Sequence, residues 1–210
     1  MKQNIEEKLL IDGPAGVLEV VVTRAEDARA VAVICHPHPL HGGTLQNKVV
    51  STLMRAARDM NANTVRFNFR GVGKSAGEHA DGVGETDDCK AVIEWAANEF
   101  GNLPLWLMGF SFGGYVAAAA ARAQDEWPAR LILVAPSVER MPFADMLPFP
   151  GAAVVMMGEA DEVVAPQAVF DLLEGQQGID MVRFADTSHF FHGKLVELKT
   201  ATEDALGEVH

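Results

Sequence analysis

Short apolar runs alternate with segments of helical period along almost all of this 210-residue chain, and that alternation limits the fold more than any other feature. The runs are VLEVVVT (17–23), AVAVICH (30–36), NTVRFNF (63–69), LPLWLMG (103–109), RLILVAP (130–136), AAVVMMG (152–158) and IDMVRFA (179–185). Strands that are apolar on both faces need cover above and below, which a parallel sheet between two helical layers provides. Helices are expected at about 45–60, 84–100, 112–124, 165–175 and 190–205. In the first of these, Val49, Val50, Leu53, Met54 and Ala57 recur at helical spacing and mark a core-facing stripe. The opening EEKLLIDGPAGVLEVVV reads as a hairpin turning through Gly13, Pro14 and Gly16. No repeat, low-complexity tract or linker interrupts the pattern, so residues 1–210 read as one α/β domain. The longest irregular stretch, 137–151, is too short for a lid domain but long enough to line a pocket.

Charge excludes one class of function. A formal net charge of −12 with no Lys/Arg cluster argues against an extended nucleic-acid surface. There is no uncharged apolar stretch of membrane-spanning length, and MKQNIEEKLL lacks the apolar centre of a signal peptide. Two cysteines, Cys35 and Cys89, make no disulfide framework, which fits the cytoplasm. The composition favours neither a monomer nor a dimer.

One serine sits in unusual company. In LWLMGFSFGGYVAAAA, Ser111 lies between two phenylalanines, with Gly109 two places before it and Gly113 two places after. An apolar strand precedes it and an alanine-rich helix follows. A G-x-S-x-G turn between strand and helix is a nucleophile elbow, whose glycines remove side chains that would collide where the chain reverses. The helix N-terminus behind the serine offers N–H groups to a developing negative charge.

A serine hydroxyl is a weak nucleophile and needs a base, which in turn needs an orienting acid. Asp161 falls just past the run 152–158, and His189 just past the run 179–185. The carboxyl ends of parallel strands share one sheet edge, so residues 50 and 78 positions after Ser111 can meet it there. Asp161 and His189 are the favoured pair, with Glu159 or Glu162 competing as the acid and His192 as the base. An oxyanion hole needs two backbone donors. The N–H of Phe112 is one, and the loop HPHPLHGG supplies the other. Pro37 and Pro39 have no N–H, which leaves His38 or Leu40, and His38 is preferred.

Two other motifs compete for attention. His36, His38 and His41 have the histidine spacing of an H-x-H-x-D-H zinc motif, but Leu40 stands where that motif has its aspartate. FRGVGKSAG (69–77) resembles the end of a P-loop, yet Asn68 occupies the place of its first glycine and no helix follows directly. A tight glycine turn after a strand explains it better.

Taken together, FNFRGVGKSAG, GFSFGG, GEADEVV and TSHFF resemble the strand-turn, elbow, acid loop and histidine loop of the α/β-hydrolase superfamily. HPHPLHGGTLQNKVV with FNFRGVGKSAG is similar, more narrowly, to small bacterial serine hydrolases without a lid. The resemblance implies a mostly parallel sheet of about eight strands flanked by helices, no cap domain, and a Ser111–Asp161–His189 triad. The expected activity is cleavage of a small ester or thioester through an acyl-serine, with no cofactor or metal. Phe110, Met141, Phe143 and Leu40 are expected to line an acyl pocket. The rival readings are a thioesterase or peptidase on the same fold, a hydrolase-fold protein that only binds, and a zinc hydrolase using His36, His38 and His41.

Overall fold

Strands β3 (Ala30–Cys35) and β4 (Ala62–Phe67) are buried at every residue, and β5 (Leu105–Phe110) at all but its first. Such strands form the centre of a covered sheet, as their two-sided apolar sequences require. The structure is a computed structural model that describes residues 5–207. The first four residues of the stretch read above for a signal sequence, and the last three of the chain, lie outside the described residues.

Eight strands make one sheet in the order β1-β2-β4-β3-β5-β6-β7-β8. β1 (Glu6–Gly13) and β2 (Gly16–Thr23) form the expected hairpin, and β2 pairs antiparallel with β4. From β4 onward all pairings are parallel, through β6 (Arg130–Val134), β7 (Ala153–Gly158) and β8 (Ile179–Phe184). The register sets Cys35 beside Gly109, Phe110 beside Val134 and Gly158 beside Phe184. The ends of β3, β5, β6, β7 and β8 therefore lie along a single sheet edge.

Five helices cover the sheet: α1 (Lys48–Asp59), α2 (Val83–Phe100), α3 (Phe112–Arg122), α4 (Pro166–Leu173) and α5 (Leu195–Gly207). α1 packs beside α5, and α2 beside α3. The α1 stripe of Val49, Val50, Leu53, Met54 and Ala57 is buried, as its spacing predicts. Asn47 starts that helix by accepting the Val49 and Val50 N–H groups at 2.8 and 3.4 Å, a side-chain cap typical of asparagine. The connection from β6 to β7 contains only a 3₁₀ turn at Phe143–Met146, and no separate layer of structure is built on it.

Two of the departures from the sequence-based limits have visible causes. β4 ends at Phe67, short of 69: the Asn68 N–H still bonds the Glu19 carbonyl of β2, but the Phe69 N–H turns to the His36 ring. The last helix begins at Leu195 rather than near 190. Phe191 is fully buried against Phe184 with φ of 54°, and Gly193 follows with φ of 73°, so the chain turns twice before helix geometry resumes.

Candidate active site

Ser111 joins β5 to α3 with φ of 57° and ψ of −117°, a conformation an L-residue holds only at a cost of about 1–3 kcal/mol. The surroundings hold it there. Its N–H donates to the Val134 carbonyl at 2.8 Å, and its own carbonyl accepts the Gly114 and Ser137 N–H groups at 2.9 and 3.2 Å. A β-carbon on Gly109 would lie 2.0 Å from the Gly113 carbonyl oxygen, and one on Gly113 would lie 2.4 Å from that of His36. The two glycines thus let strand, helix and the end of β3 approach within backbone contact.

His189 lies on the loop after β8, and its Nε2 is 3.1 Å from Ser111 Oγ. Its Nδ1 is 2.7 Å from Asp161 Oδ2, on the loop after β7. The second Asp161 oxygen accepts the Val163 and Val164 N–H groups, both at 2.8 Å. These bonds fix the position of the carboxylate. Phe110, fully buried, packs against the imidazole with ring centres 4.9 Å apart. A hydroxyl, an imidazole and a carboxylate so aligned can pass a proton from oxygen to nitrogen while the acid stabilises the imidazolium.

The competing acids and base are placed elsewhere. Glu162 accepts the backbone N–H of His189 at 3.1 Å, so it secures the loop rather than the ring. Glu159 faces Arg183 at 3.9 Å, and the His192 ring lies tilted against Phe190 with ring centres 6.0 Å apart.

Ser111 and His189 open into a cavity of about 370 Å³, within the range of small-ligand sites. Phe112, Met141, Val163 and Phe190 give it apolar walls, and His38, from the loop after β3, also lines it. The Leu40 N–H donates to the His38 ring at 3.2 Å, and the His41 and Gly43 N–H groups both bond the His38 carbonyl.

Three of the four side chains expected in the pocket do not line it. Phe110 and Phe143 are fully buried, the first beneath His189 and the second between Tyr115 and Phe149. Leu40 points outward at 69% exposure, because it sits on a one-turn 3₁₀ helix at the surface. Met141 does line the cavity. Sequence reasoning missed Asn47, His79 and Arg140, which also face it. The N-capping asparagine had a local signal; the other two had none.

The zinc reading fails on His36. Its ring is fully buried, its Nε2 accepts the Phe69 N–H at 3.0 Å, and its Nδ1 donates to the Pro37 carbonyl at 2.6 Å. Burial pushes its pKa down to about 4, against a smaller upward pull from the Pro37 carbonyl. With both nitrogens committed, it has no lone pair for a metal. Among the described residues no group of three His, Cys, Asp or Glu side chains is arranged to hold one.

The phosphate-loop resemblance also resolves into scaffolding. Arg70 pairs with the buried Asp88 at 2.7 Å, and the Arg70 N–H reaches the same carboxylate at 2.9 Å. Ser75 Oγ donates to the Asn68 carbonyl at 2.7 Å and accepts the Glu19 N–H at 2.9 Å.

A mostly parallel eight-stranded sheet with helices on both sides and a serine elbow at its carboxyl edge defines an α/β-hydrolase. The profile of the Hydrolase_4 family, serine aminopeptidase S33, matches residues 26–153, and the chain belongs to that family. An uncharacterized protein of Rickettsia prowazekii is 32% identical over 95% of this chain and 88% of its own length. An α/β serine hydrolase homologue from Coxiella burnetii superposes with a TM-score of 0.91 at 43% identity, over 96% of this chain and 97% of that one. XC6422 of Xanthomonas campestris, an α/β serine hydrolase without a lid, gives 0.89 at 45% identity, over 96% and 93% of the two chains. Among the described residues no helix is long and apolar enough to cross a membrane.

Proposed function

We propose that the protein is a cytoplasmic serine hydrolase that cleaves a small carboxylic ester or thioester through an acyl-serine intermediate. The hydrogen-bonded line from Ser111 Oγ through His189 to Asp161 carries this reading. His189 takes the serine proton as Ser111 attacks the carbonyl, and Asp161 holds the ring in the tautomer that leaves Nε2 free to accept. The N–H groups of Phe112 and His38 receive the oxyanion. Bonding of the Leu40 N–H to the His38 ring supports His38 over Leu40 as the second donor. His189 then returns its proton to the leaving group, and water attacks the acyl-serine by the same roles reversed. The cavity of about 370 Å³ supports a small substrate.

Nitrophenyl acetate and butyrate test the reading. Wild type should release nitrophenol and take up a fluorophosphonate probe at Ser111, and Ser111→Ala should do neither. Equal, slow release by both proteins would leave a fold that binds without catalysis. The family's aminopeptidase description supports amides as the second substrate class, so aminoacyl nitroanilides belong in the same screen.

A further inference from the structure

The cavity wall offers hydrogen-bond donors whose matching acceptors are already occupied. Asn47 uses its side-chain oxygen to cap α1, which leaves its NH₂ group for the cavity. Arg140, on the β6–β7 connection, has one hydrogen bond, a long one of 3.4 Å to the Val163 carbonyl. Among the described residues no carboxylate pairs with it: neighbouring Glu139 accepts the Ala165 N–H at 3.3 Å instead. The Val163 contact ties the guanidinium to the loop that carries Asp161, so an exposed positive charge stands on the wall of the cavity that Ser111 and His189 share.

Imidazoles continue the same wall. The His38 ring stacks on His41 at 4.5 Å and lies 4.9 Å from His79. Burial lowers the His38 pKa, and His41, His79 and Arg140 lower it further against an upward pull from Glu85. Two carboxylates lie nearby, both beside His79. Glu85 is buried, accepts the Ala80 and Gly82 N–H groups at 3.0 and 2.8 Å, and lies 2.8 Å from His79 Nδ1. Asp81, largely exposed, also lines the cavity and faces the other His79 nitrogen at 3.5 Å. In a chain of net charge −12, which repels anions at long range, a cavity wall that carries Arg140 and the Asn47 amide is a local exception.

We propose that the substrate of this hydrolase carries a carboxylate or phosphate beside its scissile carbonyl, and that Arg140 receives it, with His41 and the Asn47 amide as further donors. The proposal rests on the serine-hydrolase reading and adds the substrate's charge to it. An anion accepts hydrogen bonds and donates none, which is what this wall is left to satisfy. Arg140 acts on specificity and takes no part in proton transfer.

Two matched pairs of esters test it at equal ionic strength. Nitrophenyl hemiglutarate against nitrophenyl valerate places the charge on the acyl side, after subtraction of uncatalysed hydrolysis. Acetoxybenzoate against its methyl ester places it on the leaving side. In wild type the anionic member of at least one pair should have a kcat/KM about tenfold or more above its neutral match, the size expected for one charge-assisted hydrogen bond. The ratio should collapse in Arg140→Gln, survive in part in Arg140→Lys, and be kept in Arg183→Gln, whose guanidinium lies over Phe170 on another surface. Ratios near one for both pairs in wild type, or a ratio that Arg140→Gln leaves intact, would overturn the proposal. If neutral esters are turned over in a Ser111-dependent way without anionic preference, only this proposal falls. If Ser111→Ala matches wild type on every ester, the hydrolase reading falls and takes the proposal with it.

Discussion

Asp161 and His189 are joined through Oδ2 and Nδ1 at 2.7 Å, and Asp161's other oxygen is held by two backbone N–H groups of its own loop. The carboxylate therefore has one free job, which is to orient and charge-balance the ring. Asp161→Asn keeps an oxygen for the loop but offers Nδ1 an amide, so the wrong tautomer competes. Ester hydrolysis should fall roughly a thousandfold to ten-thousandfold in kcat with the fold intact by circular dichroism. An effect below about tenfold would remove Asp161 from the relay.

Glu162, the next residue, should behave differently. It accepts the His189 backbone N–H at 3.1 Å and touches neither ring nitrogen. Glu162→Gln preserves an acceptor there, and kcat should change by less than about tenfold, in line with one weakened hydrogen bond. Measured side by side under saturating substrate, the two variants separate orientation of the ring from anchoring of its loop.

The elbow makes a stability prediction. A β-carbon on Gly113 would lie within 2.4–2.5 Å of the His36 and Cys35 carbonyl oxygens, which are backbone atoms and cannot rotate away. Gly113→Ala should cost at least about 3 kcal/mol, the upper part of the overpacking range. For a chain of this size that lowers Tm by roughly 10 °C. A Tm within about 2 °C of wild type would mean that α3 can slide away from β3 without loss.

Much of this architecture was legible because the signals are local. Both-face apolar runs such as 30–36 and 103–109 cannot be solvated, so they declared central strands, and β3 and β5 are those strands. Gly109 and Gly113 announced a close approach at Ser111, and strand-end positions brought Asp161 and His189 to one edge. The pocket walls were not legible. Phe110 and Phe143 are apolar and near Ser111 in the chain, but the side of the backbone each occupies depends on β5 pleating and on the 3₁₀ turn at 143–146. Arg140 and His79 reach the cavity by the packing of loops far apart in sequence, which no spacing encodes.

The buried pair of Arg70 and Asp88 follows the same rule of distant partners. Asp88 is fully buried on α2 and takes both the guanidinium and the N–H of Arg70, whose side chain is 12% exposed. Asp88→Asn leaves that cation without a counter-charge, and loss of one member of a buried pair costs about 3–5 kcal/mol. Denaturant unfolding should show a midpoint lowered by that energy divided by the m-value, with the m-value itself unchanged. A loss under about 1 kcal/mol would mean that water reaches Arg70.

His36 ties the fold to pH. Its neutral ring bridges the Phe69 N–H and the Pro37 carbonyl, which joins the loop after β4 to the loop carrying His38. Protonating Nε2 would replace an acceptor with a donor facing Phe69 N–H, inside a fully buried site. The folded pKa of about 4 lies below the ordinary 6.5, so the unfolded chain binds this proton first as pH falls. The contribution of neutral His36 is therefore complete above about pH 6.5, declines from there to about pH 4, and amounts to about 3 kcal/mol. His36→Gln retains an acceptor for Phe69 but does not titrate. It should be less stable than wild type at pH 7.5 and should lose less stability on acidification, so the two urea-unfolding curves converge toward pH 4. Parallel curves across that interval would mean that His36 does not control the acid limb.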